Sequence, residues 1–187
     1  MLASFTERVI GAAKLDVQVY EEVEADVGAT GQAMGVVLLT NLALLVGLQG
    51  IVFDLEALGI TGIILGGIAA VLSWILNAFL TCFIGTRLFP EPQTSANPGE
   101  LMRTLGFAYA PGLGLIFVQL AGIDALSLFL LIIVATWLVA AMVIAVRQAL
   151  DYTSTPRAVG VCLLGQVSGE VISFMFLGLL GALFGSY

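Results

Sequence analysis

Apolar runs long enough to cross a bilayer, joined by connections of a few polar residues, leave this chain very few ways to fold. A spanning helix needs roughly 20 apolar residues, about 30 Å at 1.5 Å per residue. Five segments meet that length, at about residues 33–53, 60–85, 101–122, 125–146 and 156–185. Mean hydropathy is +1.10, and 60% of the residues are hydrophobic. Lipid offers no partner for backbone N–H and C=O groups, so the spans must be helical. The sequence therefore predicts an all-α fold, a polytopic membrane helical bundle of five transmembrane helices, the third kinked at Pro111 because proline removes a backbone donor. A four-span alternative makes that third segment re-entrant.

The six basic residues orient the bundle. Arg8 and Lys14 precede the first span, Arg87 and Arg103 bracket the second connection, and Arg147 and Arg157 bracket the fourth. The first connection, marked by Asp54 and Glu56, and the third, around Asp124, carry no Lys or Arg. Positive charge gathers on the cytoplasmic side, so the N-terminus is expected there. With an odd number of spans the C-terminus is expected outside.

Residues 1–30 read as a cytoplasmic acidic amphipathic N-terminal segment, and 31–187 as the five-span transmembrane domain. Leu15, Val19, Val23 and Val27 recur every four residues, which predicts an amphipathic helix capped by Asp16. Ser4 followed by Glu7 fits a capping box on a shorter preceding helix. The segment lacks the basic start and apolar core of a signal peptide. Its acidic charge disfavours an anionic lipid surface, which leaves docking on the cytoplasmic ends of the spans or on a partner protein. Thr155 is expected to cap the fifth span, with Pro156 in its first turn.

Several function classes are disfavoured. A net charge of −7 with no basic patch disfavours nucleic acid as a partner. There is no histidine, the commonest metal ligand and near-neutral base. No phosphate-binding loop, nucleophile elbow or zinc-protease motif occurs. The expectation is a non-enzymatic protein with no catalytic residues, metal or cofactor. Cys82 and Cys162 fall near the cytoplasmic helix ends and read as free, small apolar groups.

Glu170 is the one carboxylate well inside a span. An acidic residue at a helix centre is unfavourable by roughly 2.5–3.5 kcal/mol on insertion scales, so it is expected to face the bundle. Gln166 and Ser173 on its own helix, and Asn77, Gln49, Asn41 and Gln119 elsewhere, are its candidate polar partners. Two readings stay open: a proton- or cation-linked site, or a neutral carboxyl that joins helices by hydrogen bonds. Ser73, Asn77 and Thr81 share a stripe with Gly62, Gly66 and Ala69, as at a helix-packing surface. The candidate intramembrane polar site is thus Glu170, Gln166, Asn77 and Ser73. Gly31/Gly35, Gly62/Gly66, Gly165/Gly169 and Gly181/Gly185 each match GxxxG, but with 22 glycines in 187 residues the spacing carries no specific dimerisation meaning.

The segments YEEVEADVGATGQAMGVVLL, MRTLGFAYAPGLGLIF and RQALDYTSTPRAV resemble bacterial members of the Yip1 domain family, over nearly the whole chain. The family's Gly-Tyr-Ala-Tyr-Ala-Pro signature maps onto Gly106, Phe107, Ala108, Tyr109, Ala110 and Pro111, with Phe107 replacing the first tyrosine. The resemblance implies a five-span protein of a prokaryotic plasma (inner) membrane with a cytoplasmic N-terminus. Its kink residues would be Gly106, Tyr109 and Pro111.

Two functions follow as expectations. One is a membrane scaffold or assembly protein, an accessory subunit of a larger complex, whose partners are the lipid bilayer and other membrane proteins or copies of itself. The other is a small proton- or ion-linked transporter or channel using Glu170. No internal repeat supports the second.

Overall fold

The computed structural model describes the backbone of residues 3–122 and 125–184, and side chains as far as residue 173 together with that of Met175. The described residues are all-helical, apart from one isolated bridge between Gln49 and Phe53. A short hairpin of α1 (Phe5–Ala13) and α2 (Val17–Ala25) precedes the long helices α3 (Ala29–Gly47) and α4 (Leu55–Phe83). A wide turn over Ile84–Leu88 extends α4. Next come α5 (Pro98–Ala108), a 3₁₀ stretch Ala110–Leu115, α6 (Ile116–Leu120), α7 (Ala125–Ala149) and α8 (Thr155–Phe184). Among the described residues four elements are long and apolar enough to cross a membrane: Ala29–Gly47, Leu55–Leu88, Pro98–Leu120 and Ala125–Ala149. This is a membrane-embedded helical protein.

The kinked element is the central pillar. Of the most apolar window in Pro98–Leu120, 67% is buried, against 39% or less in the other three. α3, α4 and α7 pack around it, and α8 lies against α4 and α7. Apolar side chains elsewhere face outward, such as Ile64, Ile68 and Leu72 on α4 and Leu128, Phe129 and Ile132 on α7. That pattern suits lipid and not water.

Local chemistry sets the ends. The first apolar run does not stay helical to residue 53, because Gly50 takes a left-handed φ of 77° and folds the chain back. Gln49 Oε1 then accepts from the Leu55 N–H. Asp54 begins α4 instead of marking the exit of α3, accepting from the Glu56 and Ala57 N–H groups. Asn97 and Glu100 form a capping box that starts α5. At α8 the cap is Ser154, not Thr155: Thr155 is already helical, and the Ser154 hydroxyl accepts from the Arg157 N–H. Asp124 and Gly185 lie outside the described residues.

The Ser4–Glu7 capping box and the Asp16 cap are both present at the hairpin. Leu15 and Val27 fall outside α2, Leu15 in the turn at φ 63° and Val27 exposed. The buried residues of α2 are Tyr20 and Val23. The hairpin does not simply sit on the helix ends. α2 lies along α5 and α7, α1 reaches the 3₁₀ stretch, and the Trp137 indole N–H, midway along α7, donates to the Ala13 carbonyl at 2.8 Å.

Candidate functional site

The broken third element is where the sequence signals converge. Pro111 cannot continue the hydrogen-bond ladder, and the backbone tightens into the 3₁₀ stretch. The Tyr109 carbonyl accepts from the Gly112 N–H at 2.8 Å and from the Thr40 hydroxyl of α3 at 2.9 Å. A neighbouring helix thus supplies a donor at the break, as lipid cannot. Close approach makes this possible. A Cβ at Gly106 would press on Ala33, and one at Gly112 on the Thr40 methyl.

From the kink, the Tyr109 side chain reaches α8, where it hydrogen-bonds with Gln166 and lies within electrostatic range of Glu170. Gln166 also donates to the Met142 sulfur of α7. The structure therefore joins Tyr109, at the helix break, to Gln166 of α8.

Glu170 itself does not face the bundle. It is exposed on the rim of α8, on a helix whose Leu163, Val167 and Val171 are also exposed. Packing with α4 explains why it is not buried as its cost in lipid would predict. Gly165 has no room for a Cβ against Thr81, and Gly169 sits over Asn77. Those contacts fix the rotation of α8, and Glu170, about 100° further round than Gly169, is turned outward. The Gly165/Gly169 pair is thus an intramolecular packing face, while Gly31 and Gly35 have no neighbour within 4 Å.

Asn77 and Ser73 belong to this seam and not to the Tyr109 group. The Thr81 hydroxyl donates to Asn77 Oδ1, and the Ser73 hydroxyl to Ser173 Oγ, each at 3.0 Å. Nearby, the Trp74 indole donates to the Met102 carbonyl at 3.0 Å, tying α4 to α5. Gln119 is exposed, and Asn41 lines an outer groove between α3 and α4. Both cysteines are free and buried. No group of three or more metal-ligating side chains occurs among the described residues.

Three charged residues with structural roles were not visible in the sequence. Arg8 is 1% exposed, with ion pairs to Glu22 at 2.8 Å and Asp26 at 2.7 Å and a hydrogen bond to Gln32. Arg103 is buried and donates to the Val23 and Glu24 carbonyls at the end of α2. Glu91, in the proline-rich connection, is buried and accepts from the Thr153 N–H and hydroxyl, the Ser154 N–H and the Gln93 amide. Thr153 and Ser154 lie some 60 residues away, beyond any local pattern.

Two carboxyls at this end are displaced in opposite directions. Hydrogen bonds from Thr153, then from Gln93 and Ser154, hold Glu91 down at about 2. Burial, followed by repulsion from Glu100, Asp151 and Glu21, pushes Glu24 up to about 7, against the opposing pull of Arg103. Asp26 is lowered by its hydrogen bond to Arg8. The chain matches no protein-family model, no curated protein and no solved structure.

Proposed function

We propose that the chain is a non-enzymatic integral membrane scaffold or assembly protein of the Yip1 type, an accessory subunit of a larger membrane complex. In this reading it spans a prokaryotic inner membrane five times, α8 being the fifth span, with its N-terminus in the cytoplasm and its C-terminus outside. The observation that carries the reading is how the inner polar groups are used. Among the described residues no buried side-chain nitrogen or oxygen lacks a hydrogen-bond partner. Ser73, Asn77, Thr81, Thr40 and Gln166 bind one another or neighbouring helices. Polar groups spent on helix contacts suit a protein that holds a shape for others to bind.

At the other end, Arg8 and Arg103 lock the hairpin in place while Glu7, Asp16 and Glu21 stay exposed. That presents an acidic surface to basic partners. Purification from native membranes in mild detergent, followed by mass analysis, tests the proposal. The expected result is a homo- or hetero-oligomer, and a chain that always emerges alone would overturn it.

A second reading, a proton- or ion-linked transporter, is favoured by one feature: Glu170 and Gln166 beside the broken third helix. It predicts that Glu170→Gln abolishes pH-dependent flux in liposomes. Unchanged flux in that variant would remove its central residue.

A further inference from the structure

The apolar belt does not have the same depth on every side of the bundle. On α4 the exposed apolar side chains run from Ile60 to Phe83, about 35 Å along the axis at about 1.5 Å per residue. On α7 they run only from Leu126 to Val139, about 20 Å, against a hydrocarbon core of about 30 Å. The shortfall lies at the hairpin end. Thr81, Gly165 and Met142 share a level, because Gly165 packs on Thr81 and Gln166 donates to the Met142 sulfur. Phe83 of α4 and Leu163 and Leu164 of α8 lie beyond that level toward the hairpin end, half-exposed. Val139 stops short of it, and from Ala140 to Val146 no side chain of α7 is exposed.

The α1–α2 hairpin takes the place of lipid there, and its tip is charged. α2 lies along α7, and the Ala13 carbonyl accepts from the Trp137 indole midway down that helix. Beside this contact the turn exposes Lys14 and Asp16, with Gln18 exposed in the first turn of α2. No hydrogen bond or ion pair within the chain engages the Lys14 ammonium among the described residues. Trp137 is about 15 Å from Arg147 along the axis, a depth at which a charge surrounded by acyl chains is costly. Lysine can stretch part of the way back, but the short Asp16 side chain cannot. Water or headgroups must therefore come to the tip. Ile10 and Val17, half-exposed at the same tip, suit the boundary between headgroups and acyl chains.

We propose that the bilayer is thinned against the hairpin: phospholipid headgroups and water of that leaflet descend to Lys14 and Asp16 beside α7, while the leaflet keeps its full depth on α4 and α8. The hydrocarbon crossed along α7 is then about 20 Å, a weaker barrier to polar headgroups than an ordinary core. The inference rests on the bundle lying in lipid and not on the scaffold reading.

Spin labels on introduced cysteines of the full chain in liposomes test it, Cys82 and Cys162 being buried. Relaxation is read with oxygen, which concentrates in lipid, and with a water-soluble nickel chelate. The label at Gln18→Cys should respond more to nickel than to oxygen, and those at Phe83→Cys and Leu163→Cys, closer to the same end, should show the reverse order. Dipolar broadening between labels at Gln18→Cys and Val139→Cys should accompany this, as a docked hairpin requires. Oxygen favoured at Gln18→Cys would overturn the proposal by placing the hairpin in hydrocarbon. Nickel favoured at Phe83→Cys and Leu163→Cys as well would overturn it by lowering the boundary on every side. Nickel favoured at Gln18→Cys without broadening would overturn it too, because an undocked hairpin thins nothing.

Discussion

Asp151 adopts a left-handed φ of 54° in the turn between α7 and α8, with its side chain exposed. A residue other than glycine is strained there, less so for aspartate than for most. Asp151→Gly should therefore raise stability by about 0.5 kcal/mol, read as a higher melting temperature in detergent; a lower one would contradict the assigned backbone. Glu91 offers the opposite case. Glu91→Ala should strip the bonds that tie the α4–α5 connection to the start of α8, speeding amide exchange at Thr153 and Ser154 about tenfold. Unchanged exchange would deny the clamp. Of the residues involved, those with local signatures were legible in the sequence. Ser4 with Glu7, Asp16 and Pro111 act within one helical turn, so their spacing alone reveals them. Glu91, Arg8 and Arg103 could not be read so, because each finds its partners across a distance that only the fold closes. Glu170 was read by its cost in lipid, and its rotation depends on glycines packing against another helix.

Among the elements, the α4–α8 seam relies on glycine. Gly165→Val would drive a side chain into Thr81. It should destabilise the protein by about 1–3 kcal/mol, as overpacking does, and uncouple α8 before the rest. Gly160, with no neighbour within 4 Å, is the control expected to accept alanine. The hairpin carries a pH dependence whose sign follows from Glu24. Its carboxyl, raised from an ordinary 4.5 to about 7 when docked, holds its proton more tightly in the folded state. Docking is thus strongest at low pH, weakens as pH climbs from about 4.5 through 7, and levels off above. Exchange protection of α1 and α2 should follow that curve, and Glu24→Gln should flatten it; protection that rises with pH would contradict the assignment. The apolar pattern located the long helices well, yet it misplaced their ends. Hydrophobicity cannot distinguish helix from the turn at Gly50, nor show that Asp54 opens α4 instead of closing α3.

Across the whole molecule, the arginines have a double use. Arg8 and Arg103 bind the hairpin, Arg147 donates to the Tyr152 carbonyl, and Arg157 bonds to the Pro90 carbonyl near Glu91. The same residues that suggest an orientation by charge also knit one end of the bundle together. The opposite end has shorter connections and carries the turn at Gln49–Phe53. The proposed five-span arrangement underlies the scaffold reading. Site-directed cysteine labelling in sealed vesicles tests it most directly, since Cys82 and Cys162 are buried. Reporters at Ser4, Gln93 and Asp151 should react with an impermeant reagent only from the cytoplasmic side, and those at Val52 and Ser186 only from the other. Ser4 and Ser186 reacting from the same side would contradict five crossings and the account built on them.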